Sequence, residues 1–347
     1  MLVLALACIF AAILGFAAHR ASVCTVRAVA EIASTRAGYM LASIGKSALW
    51  VVAITSPFFW LMPEAGMKLS GWPLTSFALA GGFLFGVGAA MNGACAYSTM
   101  ARLVDGEGGM LMTIAGFALG VLGFVALLNL HWLSRPVPAP TLVGMLIDWA
   151  WLIGGLCLIW ALYEIARLWR TRPKDVSLGR LLLARQYRLS TAAMLIGLCG
   201  SVIFLLIGSP GYTATLQSLI EGFIGMGSLP SITRGVLLCA VLFGMILSTL
   251  QRGSFRIDWR PRLTWLRNVF GGMLMGLGTA LLPGGNDALV LYGIPSLSAH
   301  AIPAFLTLLI GVGVGLEMMR RVFGVGMTVT CRNDLYVANL EKPVQVR

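Results

Sequence analysis

The chain has 347 residues, of which 58% are hydrophobic and 11% are charged, and its formal net charge is +12. Soluble domains carry about 45–50% apolar and about 25% charged residues. This composition excludes a soluble enzyme, a disordered chain and a disulfide-stapled secreted domain. The sequence therefore predicts an all-α polytopic membrane protein.

Nine apolar stretches follow one another along the chain, and each is close to the roughly 20 residues that cross a bilayer as a helix. The first has no basic residues ahead of it, so we expect a retained helix and not a cleaved signal peptide. The stretches are 1–19, 38–62, 73–92, 110–130, 141–166, 189–208, 232–250, 268–283 and 300–319.

The basic residues lie on one side of this topology. With nine crossings and an external N-terminus, all of the 25 lysines and arginines except Lys68, Arg135 and Arg234 fall on the cytoplasmic side. This is the positive-inside pattern, so the charge orients the chain and does not call for nucleic acid. We predict a multi-pass protein of the bacterial inner (plasma) membrane, with the lipid bilayer as its surroundings, an external N-terminus and a cytoplasmic C-terminus.

An internal repeat organises the chain. Residues 81–100 and 271–290 share the glycine pattern GGxLxGxG, and the same shift superimposes the neighbouring apolar stretches. The predicted units are a first repeat, a linking transmembrane helix with a basic cytoplasmic loop, a second repeat and a cytoplasmic tail. Their bounds are 1–130, 131–188, 189–319 and 320–347.

One crossing separates the two four-helix repeats, so they must be inverted in the membrane. Transporters commonly have this architecture, with the substrate site near the midplane between the repeats. The glycines from Gly81 to Gly88 could instead serve only to pack helices, as small residues do in membranes.

Four segments interrupt the repeats and are too short and too polar to span again. We expect re-entrant or broken helices, two from each side, because irregular backbone at membrane depth must be buried or line a cavity. The N–H groups at the start of a half-helix can bind an anion. The segments are 20–32, 92–109, 208–223 and 283–298.

Cys24 and Cys95 lie one in each interruption of the first repeat. A free thiol, with a pKa of about 8.5, is mostly neutral at pH 7 and is a weak donor, so it would not repel an anion. The alternative is two buried, inert cysteines. There is no CxxC and no Cys/His spacing that suits zinc, so we predict no metal, no cofactor and no catalytic residue.

Three segments, 15–28, 81–109 and 271–287, resemble the YeeE/YedE family of membrane sulfur-compound transporters. The resemblance implies an hourglass-like transporter that takes up thiosulfate through a constriction lined by thiols, here Cys24 and Cys95. It also implies a cytosolic sulfur-carrier partner of the TusA type.

The resemblance fails at the family's third cysteine. Pro283, Gly284 and Gly285 stand where the family has Gly-Gly-Cys, and Asn286 follows. We therefore expect backbone N–H groups and the Asn286 amide to act on the outer side. The substrate-binding residues predicted in total are Cys24, Cys95, Gly93, Ala94, Gly284, Gly285 and Asn286.

Four charged residues near the breaks have simpler expected roles. Asp287 should cap a short helix 288–294, with its carboxylate turned away from the pore. Arg20, Arg27 and Arg102 should be interfacial anchors, although Arg20 could also draw an anion inward.

The sequence predicts a transporter for thiosulfate or a related small sulfur-containing anion, and not an enzyme. The alternative is a membrane sulfur-relay, redox or sulfur-sensing component that uses the same cysteines. The chain has no Walker motif, so transport would be passive or coupled to an ion gradient.

Overall fold

The computed structural model describes residues 1–62, 69–133, 135–141, 150–172, 179, 183–209 and 211–337, and these residues are mostly helical. The long helices are α1 (Leu2–Ala21), α3 (Tyr39–Leu61), α4 (Ser76–Asn92), α6 (Gly109–Asn129), α7 (Ala150–Arg170), α8 (Leu189–Ile207), α10 (Ile232–Arg252), α11 (Thr264–Leu281) and α13 (Ala301–Phe323). The short helices are α2 (Thr25–Thr35), α5 (Ala96–Val104), α9 (Tyr212–Phe223) and α12 (Gly285–Ala288), the last continued by a π-helical turn (Leu289–Gly293).

In the described residues, eight helical segments are long and apolar enough to cross a membrane. A ninth is obtained when α11 and the half-helix Gly285–Gly293, bent by 43° at their break, are taken as one span. All nine predicted stretches contain a long helix, although residues 142–149 of the fifth lie outside the described part of the chain. The protein is thus an all-α polytopic membrane protein.

Each of the four predicted interruptions contains a short helix. The first two continue the spans of α1 and α4 after a break, as α2 and α5. In the second half the chain forms α9 after α8, and the Gly285–Gly293 half-helix after α11. The polarity of these segments therefore located the helix breaks correctly.

The long helices pack mainly across the two predicted repeats. Helix α1 packs against α10, and α3 packs against α8. In the same way α6 packs against α11, and α4 packs against α13. Each contact has a counterpart in which the two halves exchange roles. This pattern fits two facing repeats, while their inversion in the membrane stays a prediction.

Glycine allows the close approach of these helices. A Cβ at Gly86 would lie 2.2 Å from the Leu308 carbonyl oxygen on α13, and a Cβ at Gly276 would lie 2.1 Å from the Phe117 oxygen on α6. Any side chain at these positions would force the helices apart. The GGxLxGxG pattern that is repeated in the two halves of the chain therefore serves helix packing.

Two short pairs of antiparallel strands lie at opposite ends of the molecule. Strand β1 (Ser70–Gly71) pairs with β2 (Ala139–Pro140), and β3 (Thr330–Arg332) pairs with β4 (Leu335–Val337). The hairpin of β3 and β4 packs beside α2, where burial raises the pKa of Cys331 to about 12 and keeps this thiol protonated. We call this end, with the arginine-rich loops 183–188 and 252–263, the basic end, and the end with the paired strands β1 and β2 the far end.

Candidate functional site

Cys24 and Cys95 each stand at the start of a half-helix. Cys24 is the N-cap of α2 and Cys95 is the N-cap of α5, both with extended backbone and neither helix with a side-chain cap. The first N–H groups of a helix have no intrahelical partner. The Cys95 N–H donates to the Cys24 Sγ at 3.4 Å. Two uncapped helix N-termini and two thiols therefore meet at one point.

Both thiols line a cavity of about 60 Å³, which we call the thiol cavity. Cys24 and Cys95 are 1% and 2% exposed, so a ligand here would be almost fully removed from water. Among the described residues, no lysine, arginine or histidine lines it. The lining residues are Ala18, Val23, Cys24, Thr25, Ile44, Ser47, Cys95, Tyr97, Ile196, Asn286, Asp287, Val290 and Leu291.

Asn286 brings an incompletely bonded amide to this cavity. Its Nδ2 donates to the Thr25 Oγ1 at 3.4 Å, and its buried Oδ1 has no hydrogen-bond partner among the described residues. An unsatisfied buried polar group costs about 1–3 kcal/mol. This cost would be recovered when a ligand or water occupies the cavity.

The other four predicted residues lie around the cavity and not in its wall. Gly93, with φ of 72°, ends α4, and the Ala94 carbonyl accepts the Asn92 amide, so these two form the turn before Cys95. Gly284 lines a different cavity, at the far end. Gly285 packs under Thr213, because a Cβ at Gly285 would lie 2.8 Å from the Thr213 Cγ2.

The prediction for Asp287 is wrong in both parts. The short helix begins at Gly285, with Gly284 (φ 107°) as its N-cap, so Asp287 lies inside the first turn. The Asp287 carboxylate instead accepts the hydroxyl and the backbone N–H of Thr213, the latter at 3.4 Å, and so caps the start of α9. The carboxylate also lines the thiol cavity, and is not turned away from it.

The Gly285–Gly293 half-helix separates the thiol cavity from a larger one at the far end. Ala288 and Tyr292, one helical turn apart, line the far cavity, which measures about 230 Å³. Asp287 and Leu291 line the thiol cavity. Residues four apart share a helix face, so this half-helix presents one face to each cavity.

Arg234 is the arginine that lines the far cavity. Its guanidinium has no ion-pair partner among the described residues, whereas Arg135, at the same end, binds the Glu221 carboxylate at 2.8 Å. Ser298 and His300, hydrogen-bonded to each other at 2.9 Å, line the same cavity. The far cavity therefore offers a free positive charge and polar donors to an anion.

A third cavity, of about 40 Å³, adjoins the thiol cavity on the side of the basic end and shares Tyr97 with it. Asp105 lines this cavity and accepts hydrogen bonds from Thr249 at 3.0 Å and Ser254 at 2.6 Å, and it lies 3.1 Å from the His19 Nε2. Burial opposes ionisation of Asp105, but the contacts with His19 and Ser254 outweigh it and lower its pKa. The carboxylate is therefore ionised at neutral pH.

The predicted anchoring arginines have different surroundings. Arg20 is fully buried, and its guanidinium donates to Ser248 at 3.0 Å, to Gln251 at 2.7 Å and to the Ala184 carbonyl. This buried arginine links α1 to α10 through hydrogen bonds. It neither anchors the helix at the membrane interface nor attracts anions. Arg102 pairs with Glu107 at 2.6 Å. Arg27 and Arg102 line the basic-end cavity.

Sequence reasoning missed several lining residues of the thiol cavity. Thr25 follows Cys24 directly and Tyr97 lies two residues after Cys95, so their position beside the predicted site was the available signal. Ser47 lies inside the apolar helix α3, where nothing in the local sequence distinguishes it from a packing residue.

Comparisons with known proteins show the family of the chain. A family model described as "Sulphur transport" matches residues 20–314. The thiosulfate transporter TsuA of Spirochaeta thermophila is 23% identical over 330 residues, which covers 86% of this chain and 93% of the relative. The match spans both halves of the molecule and all four breaks. The chain therefore belongs to the sulphur-transport (YeeE/YedE) family of membrane proteins.

Proposed function

We propose that the protein takes up thiosulfate, or a related small sulfur-containing anion, through the thiol cavity. The observation that carries the proposal is the meeting of Cys24 and Cys95 at two uncapped half-helix N-termini. The partial positive charge of a helix N-terminus attracts an anion. The relative named as a thiosulfate transporter supports the choice of substrate.

The thiols select for sulfur in this proposal. Sulfur is polarisable and soft, and a neutral S–H donates weakly to an anion without binding it tightly. Weak contacts suit a transporter, because the ion must leave the cavity again. The amide of Asn286 and the N–H groups that follow Cys24 and Cys95 would complete the contacts of the anion.

The two halves contribute unequally to anion binding. The N-termini of α2 and α5 have no side-chain cap, whereas the Asp287 carboxylate caps α9. A carboxylate at a helix N-terminus neutralises its positive end. We therefore assign anion binding at the constriction to the first half of the chain, with Asn286 as the contribution of the second half.

Topology gives the first test of this proposal. We place the basic end in the cytoplasm of a bacterial inner membrane, which leaves the N-terminus outside. A reporter fused after Arg347 should then be active only in the form that works in the cytoplasm. Activity of a periplasmic reporter at that position would contradict the orientation.

Arg234 should raise the local concentration of the anion at the far end. We expect Arg234→Gln to increase the thiosulfate concentration for half-maximal uptake by about tenfold, with a smaller change in the maximal rate. The difference from wild type should shrink at high salt, because salt screens exposed charges.

Arg262→Gln is the matched control for this substitution. Arg262 is exposed at the basic end and forms an ion pair with Asp258 at 3.1 Å. Its replacement should therefore leave uptake unchanged. Equal concentration dependence in the Arg234 variant and the wild type would remove Arg234 from the path.

Growth on thiosulfate as sole sulfur source, in a host without its own uptake system, tests the function directly. Expression of the wild-type chain should restore growth. A membrane sulfur-relay or sensing component that uses the same cysteines would not restore it without a partner. A cytosolic sulfur-carrier protein of the TusA type, as receiver of the sulfur, remains part of the proposal.

A further inference from the structure

The thiol cavity contains a carboxylate that an anion path does not need. Asp287 is 4% exposed and is the acidic residue among the described residues that line this cavity. Ionisable side chains inside the membrane are costly and usually functional. The proposed function of the cavity, which this inference presupposes, uses only its thiols, its N–H groups and the amide of Asn286.

The groups that face Asp287 give it no positive partner. Thr213 on α9 donates through its hydroxyl and its N–H. Among the described residues, no basic side chain lines either of the cavities that Asp287 lines. The titratable groups that line them are Cys24, Cys95, Tyr97 on α5, Tyr212 on α9 and Tyr292 on the π-helical turn.

An ionised Asp287 and a sulfur anion would repel each other in this cavity. The cavity measures about 60 Å³, so a bound anion lies within a few ångströms of the carboxylate. Like charges at such distances, removed from water, cannot both stay ionised at low cost. A protonated carboxyl group, by contrast, gains an O–H donor that can bind the anion.

We propose that Asp287 carries a proton together with the anion and thereby couples uptake to the pH gradient. The Asp287 carboxylate takes up a proton that enters from the far end, stays neutral while the anion occupies the thiol cavity, and releases the proton to the basic end after the anion leaves. No bond of the anion is made or broken. One dianion and one proton together move one negative charge inward, so the pH gradient drives this step and an inside-negative potential opposes it.

Asp287 has a second role, which is to cap α9. Substitution by asparagine distinguishes this capping role from proton carriage. Asparagine caps helices about as well as aspartate, so Asp287→Asn retains an acceptor for the Thr213 N–H but cannot titrate. Asp258→Asn is the matched control. Asp258 lies in the loop after α10, paired with Arg262, and lines none of the cavities described above.

Purified protein in liposomes provides the test, with the membrane potential held at zero by valinomycin and equal potassium. An acidic exterior should drive accumulation of labelled thiosulfate in the wild type, by up to about tenfold per pH unit for one proton. A pH dye inside the liposomes should report acidification that accompanies uptake. The Asp287→Asn variant should exchange thiosulfate for thiosulfate but lose accumulation and proton movement, and Asp258→Asn should behave like wild type.

Three results would overturn the coupling while leaving uptake itself in place. They are accumulation by Asp287→Asn equal to wild type, wild-type uptake without proton movement, and accumulation that follows a sodium gradient. If Asp287→Asn fails to fold and shows no exchange, the wild type alone tests the coupling, through the presence or absence of proton movement during uptake. Absence of any downhill thiosulfate uptake by the wild type would refute the proposed function, and the coupling with it.

Discussion

Replacement of Cys24 or Cys95 by alanine is expected to abolish thiosulfate uptake and leave the protein in the membrane. Alanine removes the S–H donor and the polarisable sulfur from the thiol cavity, but it retains the backbone that starts α2 and α5. Loss of two contacts that each favour the ion should lower uptake by about 100-fold or more. Uptake of labelled thiosulfate by cells with equal amounts of each variant measures the effect.

Cys199→Ala is the matched control for these variants. Cys199 is also buried, at 1% exposure, in the long helix α8, and it does not line the thiol cavity. This variant should transport like wild type. Full uptake by the double variant Cys24→Ala and Cys95→Ala would reduce both thiols to packing residues.

Serine at positions 24 and 95 distinguishes the two candidate functions. A hydroxyl donates a hydrogen bond but cannot form a persulfide. We therefore expect Cys24→Ser and Cys95→Ser to retain partial uptake if the thiols act as hydrogen-bond donors. Complete loss in both serine variants, with normal protein levels, would favour the sulfur-relay alternative.

Gly285→Cys is expected to lower the amount of folded protein and to block uptake, even though it would restore the family's third thiol. Gly285 has φ of 67°, and a Cβ there would lie 2.8 Å from the Thr213 Cγ2. A side chain in this backbone region costs about 1–3 kcal/mol, and the contact would also push α9 away from Asp287. Thermal unfolding in detergent, together with uptake, measures the loss, and Gly285→Leu should be at least as damaging.

Gly123→Cys on α6 is the control for this substitution. Nothing lies within 4 Å of a Cβ built at Gly123, so a cysteine there should be tolerated. Normal stability and normal uptake of Gly285→Cys would show that the half-helix can shift to accommodate a side chain at this position. The contact between Gly285 and Thr213 would then be unimportant for the site.

The sequence predicted the spans and breaks well because both depend on local composition. Polar segments at membrane depth marked the four half-helices, and Cys24 and Cys95 within them meet in one cavity. The packing role of Gly86 could not be predicted in the same way. It depends on contact with Leu308, which is far away in the chain.

The errors arose where a side chain finds its partner in a distant segment. Asp287 caps α9 through Thr213, and Arg20 binds Gln251 and Ala184. The local pattern around Asp287 and Arg20 suggested a helix cap and an interfacial anchor. Only the tertiary structure brings these partners together, so no reading of neighbouring residues could have identified them.

In the proposed mechanism the whole anion passes the constriction, and thiosulfate labelled separately at its two sulfur atoms tests this passage most directly. Liposomes containing only the wild-type protein should take up the inner and the outer sulfur at equal rates, because a transporter moves the intact ion. A relay through persulfides on Cys24 and Cys95 would transfer the outer sulfur alone and leave sulfite outside. Entry of the outer sulfur without the inner one would contradict the account.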